Sequence, residues 1–230
     1  MKRHLVVLTG AGMSAESGIA TFRGTGGLWE GYDVTEVASP QGWEKNPELV
    51  LDFYNQRRRI IKSAQPNKGH KILAELEEYY KVTIITQNID DLHERGGSSQ
   101  VIHLHGSIME SRSTYDENLV YPISGDQLRL GDYCEKGYQL RPNIVWFGEM
   151  VPLMEYAVNI ASQADLFLIV GTSLLVYPAA SLIHFTQPHI NKYLIDPNIP
   201  KIHSVDNLQT IQDGAENGLE KLKMVLTKTI

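Results

Sequence analysis

The chain has 230 residues, 42% of them hydrophobic and 21% charged, with a formal net charge of −6. That length suffices for one large core with a small satellite, and the acidic balance argues against a general nucleic-acid binder, which carries a basic excess or stripe. No apolar run is long enough to cross a bilayer, and the one cysteine, Cys134, excludes internal disulfides and fits a reducing cytoplasm.

Leu5–Leu8 reads as a buried strand, and it follows Met1–His4 so directly that no signal peptide is expected. The strand breaks into Gly10-Ala11-Gly12 and then into small, helix-tolerant residues, the order used by dinucleotide-binding turns. Gly10 permits the turn, Gly12 lets backbone N–H groups approach a pyrophosphate at the helix's positive end, and Ala15 is the third small position. Taken alone, the pattern fits a glycine-rich turn that binds nothing equally well. Further strands are predicted at Val82–Thr86, Val101–Leu104, Ile144–Phe147, Leu166–Val170 and Tyr193–Ile195. Helices are predicted at Pro47–Ser63, Pro66–Tyr80, Met154–Ser162, Pro178–Thr186 and Gly214–Lys228. Ile72, Leu73, Leu76, Tyr79 and Tyr80 form one apolar stripe, and Leu219, Leu222, Val225 and Leu226 another, so both helices should dock on a sheet. Alternating strands and helices indicate a parallel α/β architecture. The expected fold is a Rossmann-like, doubly wound parallel sheet with a small inserted lobe. Its core comes from about 1–24, 64–107 and 143–230, and the lobe from 25–63 and 108–142, all in one domain.

Several strands end in polar motifs, where open α/β sheets bind ligands. His105 is the candidate general base, since an imidazole accepts a proton near neutral pH; a histidine that merely caps its strand is the competing reading. His103 is read as supporting or structural. Asn88 and Asp90 alternate after a strand and can share a pocket, although Asx-turn chemistry explains them too. Phe22 and Arg23 suit an apolar lid and a phosphate partner, or simply a buried Phe beside a surface Arg. Gly171-Thr172-Ser173 can meet phosphate or ribose oxygens, and Asp196 ribose hydroxyls. Tyr54 and Arg57, spaced i, i+3, share a helical face that suits a carboxylate. The alternative is a solvated basic helix, which is the expectation for Arg58 and Arg59.

Gly-Ala-Gly-Met-Ser-Ala-Glu-Ser-Gly-Ile-x-x-Phe-Arg-Gly (10–24) resembles the first signature of the sirtuin (Sir2) family of NAD-dependent protein deacylases. Thr86-Gln87-Asn88-Ile89-Asp90, His103-Leu104-His105-Gly106-Ser107, Phe147-Gly148-Glu149 and Gly171-Thr172-Ser173-Leu174 follow in the family's order. The resemblance implies that His105 is the catalytic base. It implies an NAD site built from Gly10, Ala11, Gly12, Ser14, Ala15, Phe22, Arg23, Trp29 and Gln87 to Asp90, with Ile89 among them. Gly171, Thr172, Ser173, Leu194, Ile195, Asp196 and Ala215 complete that site; Leu194 stands where relatives usually carry Asn. Phe147, Gly148, Glu149, Val151, Leu175 and Val176 would flank the acyl-lysine substrate. The Tyr54–Arg57 pair resembles the Tyr-x-x-Arg of members that remove succinyl and malonyl groups.

By the same resemblance, the acyl oxygen attacks the nicotinamide ribose, nicotinamide leaves, and His105 deprotonates a ribose hydroxyl as the acyl group passes to ADP-ribose. A mono-ADP-ribosyltransferase or NAD glycohydrolase is the alternative on the same pocket. The expected partners are acylated lysines of proteins or peptides, with no nucleic acid and no membrane, for a monomeric cytoplasmic chain. Relatives commonly carry four zinc cysteines between the His-Gly and Phe-Gly-Glu motifs. Here that interval has Cys134 alone, too few ligands for a tetrahedral site, so no zinc is expected. A mini-core of Tyr115, Leu119, Val120, Tyr121, Ile123, Leu128, Leu130, Tyr133, Tyr138 and Leu140 is expected instead.

Overall fold

A computed structural model describes residues 2–21, 28–29, 31–200, 202 and 205–228. Its strands are β1 (His4–Thr9), β2 (Leu28–Trp29), β3 (Tyr32–Asp33), β4 (Lys81–Thr86), β5 (Val101–His103) and β6 (Gly106–Ser113). β7 (Val120–Pro122), β8 (Leu140–Ile144), β9 (Leu166–Val170), β10 (Asn191–Ile195) and β11 (Leu208–Ile211) follow. The helices are α1 (Gly12–Ala15), α2 (Val34–Val37), α3 (Pro40–Lys45), α4 (Pro47–Ser63), α5 (Lys68–Glu75), α6 (Leu92–Arg95), α7 (Met154–Ser162) and α8 (Ala215–Thr227).

Six strands form one parallel sheet in the order β11-β10-β9-β1-β4-β5. Both faces of this sheet are covered, which is why its central strands read as unbroken apolar runs. Leu5 and Val7 of β1 pack with Leu73, Leu76, Leu219 and Leu222 on one face. Val6 and Leu8 pack with Ala157, Ile160, Leu182 and Ile183 on the other. The predicted stripes on the second and last helices supply that first face, except that Val225 is exposed. β1 lies between β9 and β4, so the chain direction of winding reverses at the β1/β9 seam. The carboxyl ends of those two strands form the switch point at which such sheets bind ligands.

β7-β6-β8 is a separate antiparallel sheet. The strand expected at Ile144–Phe147 instead ends at Ile144 and belongs to this sheet, because Val145 turns to bond the His105 carbonyl at 2.9 Å. Pro142 sits within β8 opposite Ser111, a position tolerated because β8 is an edge strand. The helix expected at Pro178–Thr186 is a 3₁₀ turn over Ala179–Phe185. That expected over Pro66–Tyr80 is α-helical only from Lys68 to Glu75, then 3₁₀.

The inserted lobe differs most from expectation. Tyr115 and Tyr133 are 65% and 61% exposed, so the interval 111–140 has no aromatic mini-core, although Leu128 and Cys134 are buried. Tyr115 and Tyr138 stack on its surface at 4.2 Å. Polar groups of α4 anchor residues 108–128 instead. Arg58, expected in solvent, is fully buried; it donates from Nε to the Ile108 carbonyl at 2.7 Å and from Nη1 to the Asp126 carbonyl at 3.2 Å. Asn55 accepts from Arg58 at 2.7 Å and exchanges two bonds with the Leu128 backbone. Burial pushes the Arg58 pKa down to about 10, which still leaves it charged at neutral pH. Arg59 is exposed, as expected. Among the described residues, no group of three or more His, Cys, Asp or Glu side chains is placed to hold a metal ion. No described helix is long and apolar enough to cross a membrane.

Removing Arg58 strands the buried Ile108 carbonyl, at a cost of about 1–3 kcal/mol. Arg58→Met should therefore lower Tm by roughly 2–12 °C, at about 2–4 °C per kcal/mol for a chain of this size. Thermal unfolding followed by circular dichroism should show Arg59→Met melting within about 2 °C of the parent.

Candidate active site

The switch point is closed by backbone meeting backbone. Gly10 N–H donates to the Val170 carbonyl at 3.1 Å and Gly12 N–H to the Gly171 carbonyl at 2.8 Å. A Cβ on Gly12 would lie 2.7 Å from Gly171 Cα, and one on Gly171, whose φ is +62°, would lie 2.3 Å from the Met13 nitrogen. Side chains are thus excluded from both turns, and a cavity of about 700 Å³ opens beside them.

Gly10, Ala11, Gly12, Ser14 and Ala15 line that cavity from β1 and α1; Gln87, Asn88, Ile89 and Asp90 line it from the end of β4. The two groups are bonded together. Asn88 Nδ2 donates to the Gly10 carbonyl and to Ser14 Oγ, both at 3.1 Å, and Ser14 Oγ donates to Asp90 Oδ2 at 2.9 Å. Burial raises the Asp90 pKa against the opposing bonds from Leu92 N–H and Ser14. Gln87 Nε2 reaches Thr172 Oγ1 at 3.2 Å, joining β4 to the Gly171-Thr172-Ser173 turn, which also lines the cavity together with Asp196. Burial raises the Asp196 pKa as well, and its Oδ1 accepts from Asn198 N–H at 2.8 Å.

His105 stands between β5 and β6 and faces the same cavity. The following residue has to be glycine: Gly106 has φ of +80°, and a Cβ there would lie 2.0 Å from the Asn143 carbonyl. His105 Nδ1 is 3.0 Å from the Gln87 carbonyl. A carbonyl can only accept, so Nδ1 carries the proton and Nε2 keeps its lone pair. Burial lowers the ring's pKa, so the neutral, basic form prevails at pH 7.

Tyr54 and Arg57 face the cavity from α4, both buried, at 0% and 5% exposure. The Trp146 indole donates to the Tyr54 hydroxyl at 3.1 Å, and burial pushes the phenol pKa up, keeping it neutral. Phe147, Gly148, Glu149, Val151 and Val176 line the cavity too. Glu149 is an anchor: Arg141 grips its two oxygens at 2.6 and 3.0 Å, Arg112 lies at 3.3 Å, and Trp146 N–H donates to it at 2.7 Å. Burial would raise its pKa, but these partners hold it below the usual carboxylate range.

Not every expected residue reaches the cavity. Leu194, Ile195 and Ala215 are buried in the two faces of the core, and Leu175 is 61% exposed outside the cavity lining. Ile195 still contributes its carbonyl, which accepts from Gly171 N–H at 2.9 Å. Phe22 and Arg23 lie outside the described residues, and Trp29 is described only as backbone paired with Tyr32. Ile61, Ala38, Trp146, Asn198 and Gly214 line the cavity without having been expected. Ile61 was findable, since it follows Arg57 by four residues and Tyr54 by seven on the same face of α4.

The family model described as the Sir2 family matches residues 10–178. The chain belongs to the Sir2 family. A Helicobacter pylori protein named NAD-dependent protein deacylase is 56% identical over 220 residues, 96% of each chain. A Bacteroides thetaiotaomicron protein of the same name is 49% identical over 229 residues, 97% of this chain and 98% of that one. Among solved structures, a Sir2 homologue mutant bound to ADP-ribose superposes with a TM-score of 0.89 at 40% identity, covering 99% of this chain and 93% of that one. A Sir2 homologue–NAD complex gives 0.88 at 40% identity, covering 99% and 91%. This Sir2 chain fits a dinucleotide on its own geometry: two turns that no Cβ can enter present backbone at the switch point, and buried amide and carboxylate groups line the cavity beside them.

Because burial moves the His105 pKa below 6.5, protonation should silence this Sir2 chain only on the acid side of that value. A pH series of kcat/KM should place the acid limb below pH 6.5. A limb at higher pH would assign it to another group.

Proposed function

We propose that this chain is an NAD-dependent protein-lysine deacylase whose acyl pocket accepts carboxylate-bearing groups, succinyl and malonyl, as well as acetyl. The coarse activity is that of the family and of relatives 49–56% identical that bear the name NAD-dependent protein deacylase. One observation carries the acyl preference: Tyr54 and Arg57 line the same cavity as His105 and the Gln87–Asp90 segment. A guanidinium and a neutral phenol at the buried end of that cavity match a terminal carboxylate, which they can pair and hydrogen-bond away from bulk water. A bare ADP-ribosyltransferase or glycohydrolase needs no such chamber, so that alternative is not favoured.

NAD, when bound, supplies the ribose carbon that loses nicotinamide and the hydroxyl that receives the acyl group. Gly10 to Ala15, Gln87 to Asp90 and Gly171 to Ser173 are the residues that would hold it, with Phe22, Arg23, Trp29, Asp196 and the backbone near Leu194, Ile195 and Ala215 as further contacts. His105 Nε2 is placed to take a proton in the cavity, and its Nδ1 bond to Gln87 fixes the ring for that task. The substrate peptide would pair as a strand between Phe147-Gly148-Glu149 and Leu175-Val176; without it, Phe147-Gly148 forms a turn in which Glu149 N–H donates to the Trp146 carbonyl at 3.0 Å. The Arg141–Glu149 pair stiffens the first of these segments.

His105→Ala should abolish deacylation while NAD binding, followed by calorimetry, persists. Turnover like that of the parent would remove His105 from the mechanism.

A charge-assisted bond contributes about 1.5–3 kcal/mol, or roughly tenfold to a hundredfold at about 1.4 kcal/mol per decade. Arg57→Met should lower the succinyl-to-acetyl ratio of kcat/KM on matched peptides by about that factor. An unchanged ratio would leave the chain a deacylase without acidic preference.

A further inference from the structure

Two histidines of one strand run hold consecutive carbonyls. His105 Nδ1 bonds the Gln87 carbonyl at 3.0 Å, and His103 Nδ1 bonds the Asn88 carbonyl at 3.2 Å. They differ at the second nitrogen. His105 lines the cavity, whereas Nε2 of His103 meets Glu94 Oε1 at 2.7 Å. A carbonyl and a carboxylate are both acceptors, so the His103 ring satisfies them together only with a proton on each nitrogen.

We propose that His103 is a positioning residue, an imidazolium clamped between Glu94 and the Asn88 carbonyl, that fixes the Gln87–Asp90 segment for NAD.

The charges around the ring agree. Glu94 faces it from α6, and the Asp90 carboxylate acts on it from the segment it holds; His93, also on α6, is held neutral by burial and by the neighbouring His70 and His103, and His70 acts on Glu94 from α5. Burial alone would lower the His103 pKa, but the Glu94 bond and charge, the Asn88 carbonyl and Asp90 outweigh it and raise the pKa above 6.5. Burial likewise works against ionised Glu94, yet its bond to His103 holds it below 4.5. The grip reaches the site through Asn88, whose amide bonds Gly10 and Ser14 on the far side of the cavity floor. Loss of the proton as pH rises through the His103 pKa leaves one nitrogen bare against an acceptor, so either Asn88 or Glu94 is released.

The inference rests on reading Gln87–Asp90 as NAD contacts, and the experiment separates the two. Nitrogen-15 NMR of the full chain without NAD should show both His103 ring nitrogens protonated in the greater part of the molecules at pH 6.5, where His105 mostly carries one proton. The KM for NAD should rise as pH climbs through the His103 pKa. His103→Gln should remove that rise and lift KM, measured on the acid side of the rise, by about tenfold, with kcat moving less, as expected for one bond to a charged group. Glu94→Gln should shift the rise to lower pH. A neutral His103 ring at pH 6.5 overturns the inference, as does a His103→Gln variant with parental KM. If that variant does not fold, the ring titration and Glu94→Gln decide by the same criteria. Failure of the parent chain to bind NAD overturns the NAD reading as well; normal binding with unresponsive variants overturns this inference alone.

Discussion

The contact between the Gly10–Gly12 turn and Gly171 is the constraint on which the rest of the structure depends. Two strands that wind in opposite directions from the sheet's centre end side by side, and their turns interlock through bonds of 3.1 and 2.8 Å with no room for a Cβ. That contact sets where the cavity begins. It also sets what the neighbouring residues must do: Asn88 bonds Gly10, Gln87 bonds Thr172, and Ser14 bonds Asp90, so each side chain at the cavity floor spans from one strand end to another. A shift of β4 along its axis would break all three.

Charge is distributed unevenly over this frame. His105 is neutral and basic at the cavity face; two residues earlier, His103 sits between two acceptors. At the opposite wall Glu149 is held ionised by arginines, while Tyr54 is held neutral by burial. Neighbouring groups are thus pushed in opposite directions by what surrounds them, a pattern typical of sites that move protons. The sequence names the groups but not their states, which come from partners distant along the chain.

That distinction also explains what could be read in advance. Central strands were legible because both faces of the parallel sheet are buried, which leaves uninterrupted apolar runs such as Leu5–Leu8 and Leu166–Val170. The site motifs were legible because they fall at strand ends, where glycine and short polar residues interrupt those runs. β11 was missed, since Leu208–Ile211 is an edge strand with two exposed residues and little apolar signal. β8 was misplaced because Leu140-Arg141-Pro142-Asn143-Ile144 has neither alternation nor a run, and its pairing with β6 is non-local. Arg58 was assigned to solvent because nothing local shows that an arginine will be buried; its partners, Ile108 and Asp126, lie 50 and 68 residues away. The mini-core failed for a related reason: apolar composition between 111 and 140 did not reveal that polar anchors hold that stretch.

Arg57 and Arg58 are adjacent on α4, and successive side chains of a helix diverge by about 100° around its axis. One lines the cavity; the other is bolted to the backbone of the inserted lobe. The helix therefore works as a shaft with a handle at each bearing. A change in how residues 108–128 are anchored acts on the same helix that carries Tyr54 and Arg57 to the cavity. The cavity wall formed by Tyr54 and Arg57 and the anchoring of that stretch rest on one helix, so a stretch anchored differently would bring its own placement of both side chains.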